Sequence, residues 1–440
     1  MNERPRNATR RPRRQSAPHA APREPTAAAR TRPGQFEARL LSLLALSLVA
    51  FGVVMVYSAT SASAALQNGD PAYYLKRQAI YAALGLVLML VCSRVDFRTL
   101  RKLAPALVVA SLVLLAGVLV VGQSANGARR WVAFGPAVFQ PSELAKLALA
   151  IWAAAYLARR RPPRTLKELW RPAGLLAGVF AVLLLLEPDL GTAIAIFVML
   201  GGMLLVAGTP LLTLGGGAVI ATTLGVVAIW FEPYRRARIF SFIDPWRDAQ
   251  GAGFQTVQAM IGLGSGGLFG VGLGRSVQKA NFLPEAHTDM IFAIIGEELG
   301  LVGALLVIGA YVTFAYTGLR IALRCKDAFG KNLAVGLTVL VCGQAAINLA
   351  AVMGLAPLTG IPLPFVSYGG SSLIVGLAAV GILLNIALGG GARAAAGADR
   401  SGGNVRSRRP VARGRRGAAR TRGGGDVRRV AGSRRGAARS

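Results

Sequence analysis

Three cysteines in 440 residues, and nineteen acidic side chains against fifty basic ones, set the first limits on this chain. Cys92, Cys325 and Cys342 fall in apolar segments or at their ends, with neither disulfide nor metal-ligand spacing. Charged residues are scarce at 16%, while 53% are hydrophobic, which excludes an ordinary soluble protein. No Gly-Lys-Ser/Thr motif follows the glycine-rich stretch 262–274, so a nucleotide-type phosphate loop is excluded there. The arginine-rich ends carry no interleaved aromatics on which bases would stack, and no nucleic-acid partner is expected.

What is present is a series of long apolar runs: 37–58, 76–93, 103–121, 142–158, 173–187, 190–207, 211–231, 290–320, 332–354 and 369–389. Their lengths predict an all-α polytopic membrane protein with ten transmembrane helices, several at the short end of the spanning range. The first run is too long for a signal-peptide core and has no cleavage site, so it is read as a retained helix. Residues 36–390 form the membrane domain, flanked by basic tails at 1–35 and 391–440. The tails hold nine and fifteen arginines with few large apolar residues, a composition that predicts disorder and attraction to anionic lipid.

With both tails in the cytoplasm, loops 94–102, 159–171 and 320–331 lie there too. They carry fourteen Lys and Arg against four, Lys76, Arg77, Arg129 and Arg130, in the short opposite loops. That is the positive-inside bias. The long loop 232–289, between helices 7 and 8, then lies outside the cell, as do Arg129-Arg130, Glu187-Pro-Asp189 and the 355–370 segment. A site built from these residues opens to the extracytoplasmic face.

Glu285, His287, Thr288 and Asp289 crowd five positions ahead of a hydrophobic helix carrying Glu297 and Glu298. Ionisable groups at membrane depth are costly and mark function by default. An N-cap by Asp289 or Thr288 is the plain structural reading, and it leaves Glu285, His287 and the paired glutamates unexplained. In Asn126-Gly-Ala-Arg-Arg-Trp131, Arg129 and Arg130 suit phosphate oxygens, or snorkel to headgroups with Trp131 as an interfacial anchor. In Gln140-Pro-Ser-Glu-Leu-Ala-Lys146, Pro141 fits a first helical turn, and Glu143 and Lys146 share a helix face. Asp189 or Thr192 caps the helix after Glu187-Pro-Asp-Leu-Gly-Thr-Ala193, which leaves Glu187 unexplained. Gln344 and Asn348, four apart, either line a cavity or join helices. The prolines and glycines of 360–372, around Ser367, predict irregular backbone covered by protein.

Taken together, NGARRW at 126–131, QPSELAK at 140–146, EPDLGTA at 187–193, SVQKANFLPEAHTD at 276–289, GEELG at 296–300 and PLPFVSYGGSS at 362–372 resemble the SEDS family (shape, elongation, division and sporulation). SVQK and Ala286 resemble its division branch more than its elongation branch, and Thr359 departs from the lysine that many members carry. The resemblance implies a bacterial plasma-membrane glycosyltransferase, enriched at the division septum. Its substrate would be lipid II, a disaccharide-pentapeptide on undecaprenyl pyrophosphate, polymerised into glycan strands. It implies a class B penicillin-binding protein and other divisome proteins as partners. The family's essential carboxylate maps onto Asp289, expected to act as general base on the acceptor hydroxyl. Arg129, Arg130, Lys146 and Lys279 are expected to offset the departing pyrophosphate charge, with a divalent cation, Mg or Mn, as a further candidate of unknown site. Trp131, Glu143, Glu187, Gln258, Glu285, His287, Thr288 and Ser367 are expected substrate contacts or supports. At about 100° per residue Glu297 falls nearer Asp289 on the helix than Glu298 does, so Glu297 joins them. A lipid II flippase and a divisome scaffold without catalysis are the competing readings.

Overall fold

The structure is a computed structural model that describes residues 34–68, 70–125, 128–134, 137–279 and 283–389. The expectations for the two tails therefore lie outside the described residues. So do Asn126 and Gly127 of the arginine motif, and Ala280, Asn281 and Phe282 before the acidic cluster.

The apolar runs are helices: α1 (Gln35–Asn68), α2 (Tyr73–Arg94), α3 (Arg98–Val121), α4 (Pro141–Leu157), α5 (Leu166–Leu169), α6 (Leu175–Leu186), α7 (Leu190–Ala207), α8 (Leu211–Trp230), α9 (Pro233–Ile243), α10 (Phe254–Ser265), α11 (Ile291–Arg324), α12 (Ala328–Val352) and α13 (Gly370–Ala387). Among the described residues nine stretches are long and apolar enough to cross a membrane, with α5, the kink at Trp170–Gly174 and α6 counted together as Leu166–Leu186. Helix α4, at 17 residues, lies at the lower limit of the spanning range. All ten sequence runs are thus helical.

Two features depart from the expectation. The segment predicted as a plain loop, 232–289, contains α9, α10 and a 3-10 turn at Pro245–Asp248. The arginine motif lies in a small antiparallel sheet of β1 (Gln123–Ala125), β2 (Ala128–Phe134) and β3 (Ala137–Phe139), with Gln123 opposite Trp131 and Val132 opposite Phe139. Such short strands carry too little alternation to announce themselves in sequence.

Helix α12 packs against α11, α7 and α4, and two-thirds of its most apolar stretch is buried, as is that of α11. Helix α8 buries only 6% of its stretch and presents Leu212, Val219, Val226 and Trp230 outward. Because lipid is as apolar as leucine, close packing rather than hydrophobicity must join the inner helices. Small residues supply it between α7 and α12. A Cβ on Gly336 would meet Met203 Sδ at 2.8 Å, and one on Gly202 would meet Val339 Cγ1 at 2.9 Å.

Helix α11 would run about 51 Å at 1.5 Å per residue, longer than the hydrocarbon core of about 30 Å. It is not continuous. Gly300 has φ 67° and ψ −161°, and a Cβ there would lie 2.6 Å from the Leu268 backbone. The 267–272 segment enters this break, with Leu301 N bonded to Gly267 O at 2.9 Å, Val271 N to Glu297 O at 3.0 Å and Gly272 N to Glu298 O at 3.0 Å. The freed helix groups are thereby satisfied, as a low-dielectric surrounding requires.

Candidate active site

The turns over 283–290 deliver the acidic cluster to the head of α11. Neither Asp289 nor Thr288 caps that helix: Met290 holds the N-cap position, without a side-chain cap bond. Thr288 Oγ1 instead lies 3.1 Å from Asp289 Oδ1 and 3.0 Å from the Glu285 carbonyl. Glu285 has a left-handed φ of 53°, uncommon for a residue with a Cβ. The backbone of Asp289 is pinned through its carbonyl, which accepts from Asn348 Nδ2 at 2.7 Å, while the same amide donates to Ile361 O at 2.8 Å. Asn348 therefore ties α12 to the acidic turn and the proline-rich segment, neither of them helical, so it neither joins two helices nor stands free in a cavity.

Asp289 is half-buried. Burial pushes its carboxyl up to about 6, against the pull of Arg238 and the Thr288 hydroxyl. Beside it, burial favours the neutral ring and holds His287 below its ordinary value, opposed by the charge of Glu285. His287 sits against Tyr74 and Tyr368, with ring centroids 4.7 and 5.4 Å away, and its carbonyl accepts from Tyr368 N at 2.9 Å. Arg77 bonds Tyr368 and lies over the Tyr73 ring, 4.9 Å from its centroid. Arg238 on α9 also donates to Leu358 O at 3.0 Å. Tyr74, Arg77, Tyr368 and Arg238 were not candidates from sequence. Tyr368 lies within the quoted 362–372 motif, whereas Tyr74, Arg77 and Arg238 carried no signal beyond the loops assigned to this face.

The proline-rich segment completes the floor. Ile361, Leu363, Phe365 and Val366 are buried, and Phe365 is left-handed at φ 68°. Ser367 serves this backbone: its Oγ accepts from Leu363 N at 2.8 Å, and its carbonyl accepts from Gln78 Nε2 at 3.2 Å. Tyr311 donates to the Pro364 carbonyl. The irregular backbone from Ile361 to Ser367 is thus largely covered by protein, while Gly360 at its start is exposed.

Among the remaining acidic candidates, Glu143 and Asp189 are committed elsewhere and Glu187 is not. Glu143 and Lys146 form a buried pair at 2.8 Å, with Lys146 also donating to Gln344 Oε1 at 3.1 Å. Gln344 lies one turn from Asn348 on α12, so this pair and the acidic turn share one helix face. Asp189 caps α7, accepting from Thr192 N at 3.1 Å, and Ser142 Oγ lies 3.4 Å from its other oxygen. Glu187 is fully buried with both carboxylate oxygens unpartnered. Burial and the charge of Asp189 raise it to about 8, against Arg130.

Several sequence expectations change, beginning with Lys146, which is buried and neutralised by Glu143 and so is not available to a departing pyrophosphate. Glu297 does not turn to Asp289. It folds the 276–278 loop, accepting from the Ser276 hydroxyl, from Val277 N at 2.9 Å and from Gln278 N at 3.4 Å. Glu298 accepts from Ser58 Oγ at 2.7 Å and pairs with Lys279 at 3.2 Å, so Lys279 is already neutralised. A helical wheel gives direction but not the loop that fills it. Arg130 grips the Glu187 carbonyl at 3.0 Å and the Pro188 carbonyl, while Arg129 is exposed on β2 and Trp131 is half-buried. Gln258 lies half-buried on α10, whose Gln255 reaches Pro284 O at 3.3 Å.

The sequence profile of the cell cycle protein family of FtsW, RodA and SpoVE matches residues 38–389. The chain belongs to this family. It is 41% identical over 352 residues to "Probable peptidoglycan glycosyltransferase FtsW" of Geobacter sp. (strain M18), covering 79% of this chain and 95% of that one. The protein of the same name from Nitrosococcus halophilus (strain Nc4) is 43% identical over 355 residues, covering 78% and 90%. Relatives of this name place the chain in the division branch. Among solved structures it resembles a chain of a peptidoglycan synthase complex, described for its coordination of polymerization and crosslinking. There the TM-score is 0.67 at 34% identity, with 79% and 96% of the two chains covered. The rod shape determining protein RodA of Thermus thermophilus gives 0.59 at 32% identity, covering 79% and 95%.

Proposed function

We propose that this chain is a peptidoglycan glycosyltransferase that polymerises lipid II into glycan strands at the bacterial division septum. It sits in the plasma membrane with both termini cytoplasmic, and a class B penicillin-binding protein crosslinks the strands it makes. The observation that carries the reading is the state of Asp289. Glu143, Glu297 and Glu298 are each held by cations or hydroxyls and amides, and Asp189 caps a helix. Asp289 is instead half-buried, its backbone fixed by Asn348 and its carboxyl poised at about 6.

A carboxylate of that acidity is ionised at neutral pH, yet basic enough to take a proton from a sugar hydroxyl as it becomes nucleophilic. The acceptor oxygen then attacks the anomeric carbon while the bond to undecaprenyl pyrophosphate breaks. Pyrophosphate leaves as a stabilised anion, so no second carboxyl need act as acid. Direct displacement inverts an α-linked donor to a β-linked product, which places Asp289 on the acceptor side of the anomeric centre and the pyrophosphate opposite. Arg238 and Arg77, beside the acidic turn, and the exposed Arg129 are the cations that would meet the departing charge. Magnesium is usually held by one or two carboxylates and substrate phosphate oxygens. No group of three metal-holding side chains occurs among the described residues. With Asp289 kept as the base, Glu285, 3.4 Å from the Thr288 hydroxyl, is the carboxylate that would hold Mg or Mn together with substrate phosphate oxygens. Such an ion would offset pyrophosphate charge.

The test is strand formation from labelled lipid II by the purified protein with its penicillin-binding partner. β-Linked strands support the reading. Transbilayer movement of lipid II without polymerisation would assign the flippase role instead.

A further inference from the structure

At the far ends of the same helices lies a concave site that the transferase chemistry does not use. Its volume is about 270 Å³, and Arg98, Arg101, Lys102, Arg159, Asp327 and Phe329 line it. These residues come from three separate elements: the first turn of α3, the segment just after α4, and the start of α12. Asp327 and Asn348 are twenty-one residues apart, so this site stands about 32 Å along α12 from the acidic turn.

Its charge is unbalanced. Arg98 is the neutralised member, with Asp96 at 3.5 Å and Asp327 at 3.6 Å. Asp327 is further committed, its Oδ1 capping α12 through Gly330 N at 2.9 Å. Arg101, Lys102 and Arg159 have no carboxylate within ion-pair distance among the described residues. Three uncompensated cations therefore converge on one cavity instead of spreading over a loop surface. The floor is apolar: Phe329 is 1% exposed and stacks on Phe97, with ring centroids 6.2 Å apart. A cationic rim over an apolar floor, at the ends of spanning helices, matches a phosphate ester that carries an apolar body.

We propose that this cavity binds the phosphate ester of an anionic ligand, seated by Arg101, Lys102 and Arg159, with Arg98 and Asp327 shaping its wall. The chemistry is shared by a lipid headgroup such as phosphatidylglycerol and by a soluble ester such as glycerol 3-phosphate. The two sources are separable.

The full chain, reconstituted in nanodiscs of phosphatidylcholine, is titrated with phosphatidylglycerol, and lipid retained after detergent extraction is counted by native mass spectrometry. A parallel arm follows the thermal midpoint in detergent against glycerol 3-phosphate. The variant Arg101→Gln/Lys102→Gln/Arg159→Gln is compared with Arg160→Gln/Arg161→Gln/Arg164→Gln, which removes equal charge from the same face outside the cavity. Tight retention of phosphatidylglycerol by the parent, weakened on the order of a hundredfold in the first variant and little in the second, supports a lipid site. A midpoint shift with glycerol 3-phosphate, lost in the first variant alone, supports the site with a soluble source. Equal losses in both variants, or no binding in either arm, overturn the proposal.

Discussion

Asp289 and Glu187 show how one residue type acquires different uses. Both carboxyls are raised by burial, but Asp289 is half-buried beside Arg238, whereas Glu187 is sealed in without a partner for either oxygen. For Asp289 the consequence is kinetic. A base must be ionised, so kcat/KM for lipid II polymerisation should fall as pH drops through about 6, with an acid limb that steady-state rates across pH would show. For Glu187 the consequence is a stability slope. Its folded value, about 8, exceeds the ordinary 4.5, so between these limits the folded protein holds a proton that the unfolded chain has released. Stability from this group is complete below 4.5 and is lost as pH rises toward about 8. Glu187→Gln lacks that slope, so the thermal midpoint of the parent should fall relative to the variant across this range. Parallel curves would contradict the assignment.

The helices were legible because apolar runs of spanning length have few alternatives, and Pro141 and Asp189 stand where local capping rules place them. The Glu143–Lys146 pair was legible for the same reason, since residues three apart meet on a helix. Its partner Gln344 is almost two hundred residues away and was not. The same limit hid Arg238 beside Asp289, the Asn348 bridge and the loop that claims Glu297. Strands β1 to β3 escaped because they are short, and α9 and α10 because loop-like glycines and charges surround them. The buried pair carries its own prediction. Lys146→Met strands Glu143 in the interior and should cost about 3–5 kcal/mol, whereas Glu143→Gln/Lys146→Met should recover most of it. Thermal unfolding in detergent measures both, and an additive double variant would show that the pair is not coupled.

At the scale of the whole molecule, the arrangement separates two faces. The acidic turn, the arginine-bearing sheet, Glu187 and the proline-rich segment meet at one end of the bundle, and the basic loops gather at the other. Charge asymmetry in the loops predicted that division, although it carried nothing about which side chains would touch. The orientation proposed from that asymmetry is open to a direct test. In a cysteine-free background, a single cysteine at Arg247 should react with a membrane-impermeant maleimide in intact cells, and one at Arg161 only after permeabilisation. The reverse pattern would invert the topology and remove the site from the compartment where glycan strands are built.

The most direct test of the account is lipid II polymerisation by the purified protein with its penicillin-binding partner. Asp289→Asn and Asp289→Ala are compared with the parent after folding and partner binding are confirmed. Loss of strands in both variants, on the order of a hundredfold or more, with lipid II binding retained, is the predicted result. Undiminished polymerisation by either variant would contradict Asp289 as the base and move that role to Glu285.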